Sequence, residues 1–240
     1  MKRLPLTLSA LALALTLSVA GSAQATLLTD LFNGQSITAG DKVFDQWSLI
    51  FQGTSDGHTV NTSNINVTAL NDGGMNPGPG LSFSILNGEF NVTGDGIYAY
   101  TDFTFGFHVS TLGNLKIKDN SLHLESGSLS GITTDLGMFI LENVGTSAGA
   151  KDLGTKNVQF SDLVPDPTFL KSTDSASFAP QDDIYVTKNI LVWATDPNET
   201  ASLTGFSQRF SQIPEPGTLL LFVPAMAALV AVRRRKTTTA

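Results

Sequence analysis

Apolar and polar residues alternate along most of the chain between residues 40 and 210, which is the period of a β-strand with one buried face. The clearest case is the strand predicted over residues 97–109, where Phe103, Phe105 and Phe107 share a face with Val109. The same pattern predicts strands over residues 42–51, 60–70, 81–85, 90–92, 115–117, 122–125, 138–144, 157–163, 183–192 and 203–210. A chain of many short strands is therefore expected.

Turn-forming residues separate these strands. Asn87-Gly88 and Asp95-Gly96 are typical hairpin turns, and residues 71–80 combine glycine and proline into a loop. A turn is also expected between residues 117 and 122, and a proline- and aspartate-containing connector at residues 165–167. The apolar residues at 27–32 fit one short helical turn, but no later segment before residue 212 keeps a helical period for three turns. The prediction is an all-β fold, either a β-sandwich or a jelly roll. Phe44, Trp47 and Phe51 are expected in its core.

The N-terminus has the order of a secretory signal peptide. Lys2 and Arg3 precede an apolar run over residues 4–20, and Ala23 and Ala25 provide the small-x-small pattern of a signal peptidase site. A signal helix over residues 1–25, removed by signal peptidase after transport by the export machinery, is therefore predicted. A buried core helix is the alternative for this apolar run.

The C-terminal segment, residues 213–240, has three parts in a fixed order. Pro214, Glu215 and Pro216 come first, an apolar run follows over residues 219–232, and the cations Arg233, Arg234, Arg235 and Lys236 come last. Residues 218–232 would form about 22 Å of helix, against a hydrocarbon core of about 30 Å. A cationic block resists crossing a bilayer, so this segment predicts a short transmembrane helix that acts as a stop signal, with its cations on the cytoplasmic side. The proline triplet predicts a stiff, exposed, non-helical segment over residues 213–216.

This tail resembles a PEP-CTERM sorting signal. The resemblance implies that Pro214, Glu215 and Pro216 form the sorting motif, that Arg233 to Lys236 provide membrane retention, and that an exosortase-like enzyme processes the tail in a Gram-negative bacterium. Pro224 and the residues after Lys236 depart from the simplest form of the signal. Residues 34–44 and 206–212 also resemble, more loosely, the glycine-rich β domains that precede such tails, a group without an assigned catalytic activity. An ordinary C-terminal anchor with an accidental Pro-Glu-Pro is the alternative.

The exported domain is predicted over residues 26–212, a length sufficient for one hydrophobic core. It holds 8 Lys and Arg against 20 Asp and Glu, a net charge of about −12, which disfavours nucleic acid as a partner. The chain has no cysteine, so thiol catalysis and cysteine-based zinc sites are excluded, and stability cannot come from disulfides.

Few residues suggest chemistry. Ser55 lies in a G-x-S-x-G pattern, but the polar, Asn-rich residues after it do not predict the helix that a serine hydrolase needs. The three histidines, His58, His108 and His123, lack metal-ligand spacing and are more simply explained as hydrogen-bonded structural residues. Glu89, Glu125, Glu142 and Asp183 lie near strands and are nominal candidates for a carboxylate pair.

Oxygen-rich turns are the remaining candidates. Asp182-Asp183 and residues 71–76 could offer ligands to calcium, although neither follows an EF-hand pattern, and turn formation explains both more simply. The prediction is therefore no catalytic residue, no metal site and no cofactor.

The export features and the absence of a catalytic motif predict a non-enzymatic exported protein, and the PEP-CTERM resemblance implies a structural or adhesive protein of the cell surface or extracellular matrix that is associated with exopolysaccharide. The alternative is an exported protein that binds or degrades polysaccharide. Exposed Tyr98, Tyr100, Trp47 or Trp193 beside converging carboxylates would favour this alternative, whereas aromatic residues buried between two sheets would favour the first interpretation. A third possibility is an uncut tail, which would keep the protein on the periplasmic side of the inner membrane.

Overall fold

The structure is a computed structural model, which describes residues 25–131, 135–163 and 168–214. Its helices are short: α1 covers Leu28–Phe32, and a 3₁₀ turn covers Thr62–Asn64. No helix within the described ranges is long and apolar enough to cross a bilayer. The predicted signal helix and the predicted transmembrane helix lie outside these residues. The strands are β1 (Thr26–Leu27), β2 (Ile37–Ala39), β3 (Lys42–Thr54), β4 (Ile65–Leu70), β5 (Gly80–Ile85), β6 (Asn91–Thr93), β7 (Ala99–Thr111), β8 (Leu115–Ser130), β9 (Asp135–Gly145), β10 (Gly154–Leu163), β11 (Phe169–Lys171), β12 (Thr173–Gln181), β13 (Asp183–Ala194) and β14 (Thr200–Pro214).

These strands form two antiparallel sheets of seven strands each, which confirms the all-β fold. We call them sheet A and sheet B. Sheet A has the order β1-β4-β5-β14-β8-β12, with β6 paired to β14, and sheet B has the order β11-β10-β9-β13-β7-β3-β2. From β7 onward the chain passes repeatedly between the sheets, so most strand pairs join segments that are distant in sequence.

The inner faces of the two sheets pack together as a β-sandwich. Phe83 of sheet A contacts Phe105 of sheet B, with 5.8 Å between ring centroids, and Phe210 of sheet A lies 5.5 Å from Phe44 of sheet B. Phe103, Phe105, Phe107 and Val109 are all buried, as the alternation along β7 predicts. Burial of these rings is the main source of stability in a domain without cysteines.

Several sequence predictions about local structure are confirmed. The turn at Asn87-Gly88 places both residues at positive φ, and Gly96 of the Asp95-Gly96 turn has φ +88°. Residues 71–79 form a loop without strand or helix. The predicted helical turn corresponds to α1.

Three predictions of detail are wrong. The turn expected between residues 117 and 122 does not exist, because β8 runs without interruption through residues 115–130. Phe51 was expected in the core, but 51% of its surface is exposed. The β4 strand begins only at Ile65, after the 3₁₀ turn, instead of near residue 60.

Strands β1, β2, β11 and β12 were missed. They lie at or beside the sheet edges, and β12 in particular alternates exposed with half-buried positions and buries none of its side chains fully. Strands β11 and β12 bury few side chains and therefore have a weak apolar period, whereas β1 and β2 are only two and three residues long, too short to show a period.

Candidate functional site

A shallow cleft of about 170 Å³ opens where β3 ends and β7 begins. Ser55, Asp56 and His58 form one side, and Asp95 and Tyr100 lie on another. The remaining lining residues are Asn91, Val92, Thr93, Ala99 and Thr101. The cleft is smaller than the usual enclosed pocket for a small molecule, so it suits a ligand that is held from one side.

Ser55 joins the two strands at the base of the cleft. Its backbone N–H donates to Tyr100 O at 3.0 Å, and its Oγ accepts a hydrogen bond from Tyr100 N at 3.1 Å. The next element is the 3₁₀ turn at residues 62–64, so no helix follows the serine directly. The G-x-S-x-G pattern is therefore a turn at the end of β3, and the Ser55 hydroxyl holds this turn to β7.

Asp56 and His58 form an exposed pair beside this turn. His58 Nδ1 lies 2.6 Å from Asp56 Oδ1, and His58 N donates to the same oxygen at 3.1 Å. These hydrogen bonds from the ring and then the backbone of His58 lower the pKa of Asp56 to about 2. Asp56 is therefore a stable carboxylate that accepts hydrogen bonds over the whole physiological pH range.

Asp95 positions the aromatic side of the cleft. Its Oδ1 accepts hydrogen bonds from the backbone N–H groups of Ile97 and Tyr98, both at 2.9 Å. The turn brings the rings of Tyr98 and Tyr100 to a centroid distance of 5.9 Å with 34° between their planes. Burial, followed by the charge of Asp102 and by Tyr100, raises the pKa of Tyr98, so its phenol remains a hydrogen-bond donor.

A third aromatic ring extends this surface along β3. A Cβ atom placed on Gly53 would lie 3.1 Å from Phe51 Cζ and 3.9 Å from Tyr100 Cε2, so both rings lie over the glycine. We call Phe51, Tyr98 and Tyr100, together with Asp56 and Asp95, the tyrosine cleft. It combines flat aromatic faces with fixed hydrogen-bond acceptors.

The aromatic residues divide between core and surface. Trp47 is buried between the sheets, and Trp193 is covered on the outer face of sheet B, where its ring lies against Gly137. Tyr98 is 43% exposed and Tyr100 is half-buried beside two carboxylates. Trp47 therefore lies where the structural interpretation expects aromatic residues, Trp193 is covered but does not lie between the sheets, and the exposed Tyr98 lies where the polysaccharide-binding alternative expects them.

The nominated carboxylates have different partners and do not form a pair with one another. Glu89 accepts from Asn61 N at 2.5 Å and from Asn64 Nδ2 at 2.7 Å, which supports the 3₁₀ turn. Glu125 is exposed on β8, Glu142 is fully buried in the core, and Asp183 lies 3.7 Å from His108 Nε2.

The histidines are structural or exposed residues. His108 Nδ1 is 2.8 Å from Asp45 Oδ1, and its ring packs on Tyr185 at 4.8 Å. His123 is exposed on β8. Among residues 25–131, 135–163 and 168–214, no three side chains of His, Asp or Glu are grouped to hold a metal ion.

The two oxygen-rich turns each have protein partners. Asn71 Oδ1 accepts from Gly40 N at 2.8 Å, and Asp182 Oδ1 lies 2.9 Å from Lys116 Nζ. Both turns are therefore held by contacts with distant parts of the protein.

The sorting residues are only partly described. Pro214 ends β14 opposite Leu115, and both Ile213 and Pro214 are half-buried instead of exposed, although they are non-helical as predicted. Ala25 is exposed at the other end of the described chain. Ala23, Glu215, Pro216, Arg233, Arg234, Arg235 and Lys236 lie outside the described residues.

Asp56, Asp95 and Phe51 were not predicted from the sequence as residues of this cleft. Two signals could have found the cleft. Tyr98 and Tyr100 are two residues apart, which places both rings on one side of an extended chain, and Asp95-Gly96 turns directly before them.

No family model matches the sequence, and the search of curated proteins gives no match. Among solved structures, the chain is similar to TmCBM61 in complex with β-1,4-galactotriose, with 12% sequence identity and a TM-score of 0.27 over 71% of this chain and 89% of that chain. It is also similar to the enzymatically active domain of the bacteriophage CBA120 tailspike protein 4, with 13% identity and a TM-score of 0.24 over 70% of this chain and 19% of that chain. Likeness at these TM-scores carries no information about the ligand or activity of this chain.

Proposed function

We propose that this chain is an exported, non-enzymatic matrix protein that binds uncharged polysaccharide through the tyrosine cleft. The observation that carries the proposal is that the half-buried Tyr100 lines the cleft with Asp56 and Asp95 and has the exposed ring of Tyr98 beside it, at 5.9 Å between centroids. The function is structural or adhesive: the sandwich supplies a stable body, and the cleft attaches it to exopolysaccharide.

The chemistry of the cleft suits a sugar. One face of a pyranose ring carries mostly C–H groups, which pack against a flat aromatic ring, while its hydroxyl groups need hydrogen-bond acceptors at the edge. Tyr100 offers a ring inside the cleft, the neighbouring Tyr98 offers a second ring at its edge, and the Asp56 carboxylate offers the acceptor. The acidity of the chain and of the cleft disfavours anionic polymers, so the polysaccharide class is neutral.

Polysaccharide degradation is the second candidate, because Asp56 and Asp95 line the same cleft. Glycoside hydrolysis needs one carboxylic acid that is protonated near the working pH and a second that acts as base or nucleophile. The pKa of Asp56 is about 2, so this carboxyl cannot serve as the acid. Asp95 Oδ1 is occupied by two backbone N–H groups. Binding without cleavage therefore fits the geometry better.

Delivery to the matrix is part of the same proposal. The signal peptide over residues 1–25 and the PEP-CTERM tail over residues 213–240 would export the chain, hold it in the inner membrane and present it to an exosortase-like enzyme. A tail that is never cut would instead leave a periplasmic protein anchored in the inner membrane.

Affinity electrophoresis tests the binding. The full chain is run through gels that contain a neutral polysaccharide, such as a galactan or a glucan, or an anionic one, such as alginate. We expect the neutral gel to retard the protein, and Tyr100→Ala and Tyr98→Ala each to weaken the affinity about tenfold, equivalent to about 1.4 kcal/mol.

Tyr185→Ala is the matched control, because Tyr185 is the third tyrosine of the chain and packs on His108 away from the cleft. Retardation that is lost equally in the control, or absent for every neutral polymer, would contradict the proposal. Size-exclusion chromatography of the incubated polymer distinguishes the second candidate, since only an enzyme shortens it.

Sorting is tested separately by fractionation of the producing bacterium. Replacement of Pro214, Glu215 and Pro216 by alanine should make the protein accumulate as an uncut membrane precursor, whereas alanine at Thr237, Thr238 and Thr239 should leave processing unchanged. Secretion of the triple variant at the normal level would refute the sorting proposal, and mass determination of the wild type would show whether the tail is cut.

A further inference from the structure

Four polar side chains are fully buried between the two sheets: Asn120, Glu142, Lys156 and Lys188. Glu142 on β9 is directly opposite Lys156 on β10 and directly opposite Lys188 on β13. These three residues of sheet B form one row that faces the core. Asn120 reaches the row from β8 of sheet A.

The carboxylate of Glu142 contacts all three other side chains. Its Oε1 accepts a hydrogen bond from Asn120 Nδ2 at 2.5 Å and lies 2.7 Å from Lys156 Nζ, while its Oε2 contacts Lys188 Nζ. The amine of Lys156 and the amide of Asn120 therefore meet at a single oxygen atom. Lys188 Nζ is bound at the other oxygen, with the rings of Phe206 and Phe83 at 5.4 Å and 6.0 Å.

Two atoms of this cluster lack hydrogen-bond partners among the described residues. They are Lys156 Nζ, whose contact with Glu142 lacks hydrogen-bond alignment, and the carbonyl oxygen Oδ1 of Asn120. A buried polar atom without a partner is costly, and where it persists it often has a chemical role. Here the two atoms belong to an amine and an amide, which are a nucleophile and an electrophile.

The protonation state of Lys156 is suited to nucleophilic attack. Burial lowers its pKa to about 7, against the opposing influence of the Asp174 and Asp119 carboxylates. A large fraction of this side chain is therefore the neutral amine at neutral pH, which is the nucleophilic form.

We propose that Lys156 Nζ and the side-chain amide of Asn120 condense into an intramolecular amide bond, with Glu142 as the proton-transfer group. The bond joins β10 of sheet B to β8 of sheet A across the core. This inference does not depend on the proposed polysaccharide binding, because the cluster lies inside the sandwich and the tyrosine cleft lies at its surface.

The reaction balances without an oxidant or a cofactor. The lone pair of Lys156 Nζ attacks Cγ of Asn120, and a carbon–nitrogen bond forms as the carbonyl oxygen becomes an alkoxide. Glu142 takes a proton from the attacking nitrogen and delivers it to Nδ2 of Asn120, to which it is already hydrogen-bonded. The alkoxide then re-forms the carbonyl, the Cγ–Nδ2 bond breaks, and one molecule of ammonia leaves.

Such a bond would stabilise this chain in the way that a disulfide stabilises many exported proteins. The chain has no cysteine, and the two residues to be joined are on different sheets and 36 positions apart. A covalent link of this kind restricts the unfolded chain, and unlike a disulfide it resists reduction.

Peptide mapping of the full-length protein tests the inference. The chain is denatured, digested with trypsin and analysed by high-resolution mass spectrometry. Trypsin does not cut after a lysine whose amine is acylated, so we expect peptide 119–151 to be joined to peptide 152–171, with cleavage at Lys151 but not at Lys156. The joined species should have two amino termini and a mass lower than the sum of the two peptides by one ammonia.

Variants of Asn120, Lys156 and Glu142 test the role of each residue in the condensation. Asn120→Ala and Lys156→Arg remove a reacting group, and Glu142→Gln removes the proton-transfer group, so each should yield separate, unlinked peptides. Asn120→Asp should still form the bond, with loss of water in place of ammonia. Asn143→Ala is the matched control, because Asn143 is the next residue on β9, bonds to Thr155 on the opposite side of the strand and should leave the link intact.

The wild-type map decides the question even if a variant fails to fold. Unlinked peptides 119–151 and 152–156 from the folded wild type would overturn the inference. A link that maps to Lys188, or to Glu142 with loss of water, would refute the assignment to Lys156 and Asn120.

Discussion

Trp47 is stacked on Phe107 in the core of the sandwich, with ring centroids 4.4 Å apart and 24° between the ring planes. The two residues belong to neighbouring strands of sheet B, and their stacking depends on a β-bulge. Asp45 pairs with His108 and Ser48 pairs with Gly106, so Gln46 and Trp47 together lie opposite Phe107. The extra residue turns Trp47 inward, where its Nε1 donates to Phe44 O at 3.1 Å.

Truncation of the tryptophan should destabilise the domain strongly. Trp47→Ala removes a buried ring and leaves a cavity between Phe83, Phe105 and Phe107, so we expect the free energy of unfolding to fall by about 3–5 kcal/mol. Urea denaturation monitored by circular dichroism measures this change. Phe51→Ala on the same strand should cost about 1 kcal/mol or less, because the ring is half-exposed; equal losses would contradict the burial of Trp47.

Gln46 provides a test of the bulge itself. Its φ of +52° is unfavourable for a side chain with a Cβ atom, and glycine avoids this cost. Gln46→Gly should therefore leave the stability unchanged or raise it, whereas Gln46→Val should lower it by about 1–2 kcal/mol. The same denaturation experiment measures both variants, and a stable valine variant would show that the bulge is absent.

The Asp56 carboxyl should titrate far below its usual range. The hydrogen bonds from His58 lower the pKa of Asp56 to about 2, so the stabilisation of the carboxylate is present above its ordinary pKa and is lost as the pH falls through about 2. Carbon-detected NMR of the carboxyl group follows the titration. In His58→Ala we expect the midpoint to rise toward that of an ordinary aspartate, and an unchanged midpoint would show that the His58 ring has no influence.

The pH dependence of the free energy of unfolding should show whether the amine of Lys156 is free or linked to Asn120. Its folded-state pKa of about 7 is below the ordinary value of 10.5, so the unfolded state binds the extra proton between these values and stability rises with pH across that window. The slope for one proton is at most about 1.4 kcal/mol per pH unit. In Asn120→Ala, where the amine is predicted to stay free, the free energy of unfolding should rise with pH more steeply than in the wild type.

Urea denaturation at a series of pH values between 7 and 10 provides this measurement. The double variant Asn120→Ala, Lys156→Met is its control, since it lacks the amine and should lose the additional slope. Identical slopes in the wild type and in Asn120→Ala would contradict a covalent link at Lys156, because both proteins would then hold the same titrating group.

The sequence predicted the features of the fold that depend on neighbouring residues, and it failed for features that depend on pairing between distant strands. Alternation along β7 correctly predicted that Phe103, Phe105 and Phe107 lie in the core. In a strand with one buried face every second residue is apolar, so the pattern is visible in the sequence. The same rule failed for Phe51, because shifts in the register of β3 between residues 45 and 51 change which side chains face inward. No local pattern shows such a shift.

The candidate sites show the same division. The Tyr98-x-Tyr100 spacing and the Asp95-Gly96 turn are visible in the sequence, but their approach to Asp56 depends on the pairing of the end of β3 with the start of β7. Glu142 was nominated only as one of several acids near strands. Its burial between Lys156 and Lys188 required β9 to pair with β10 and β13, and its contact with Asn120 required the second sheet.

By itself, the sequence determined the strand-forming segments, the principal turns, the acidity and the absence of thiols, because backbone preference, side-chain period and composition are local properties. Tertiary structure alone decided the bulge that turns Trp47 inward, the exposure of Phe51 and the meeting of Asn120 with Lys156 at one carboxylate oxygen. Those features arise from pairings between strands far apart in the chain, and their free energies depend on neighbours that no local stretch of sequence contains.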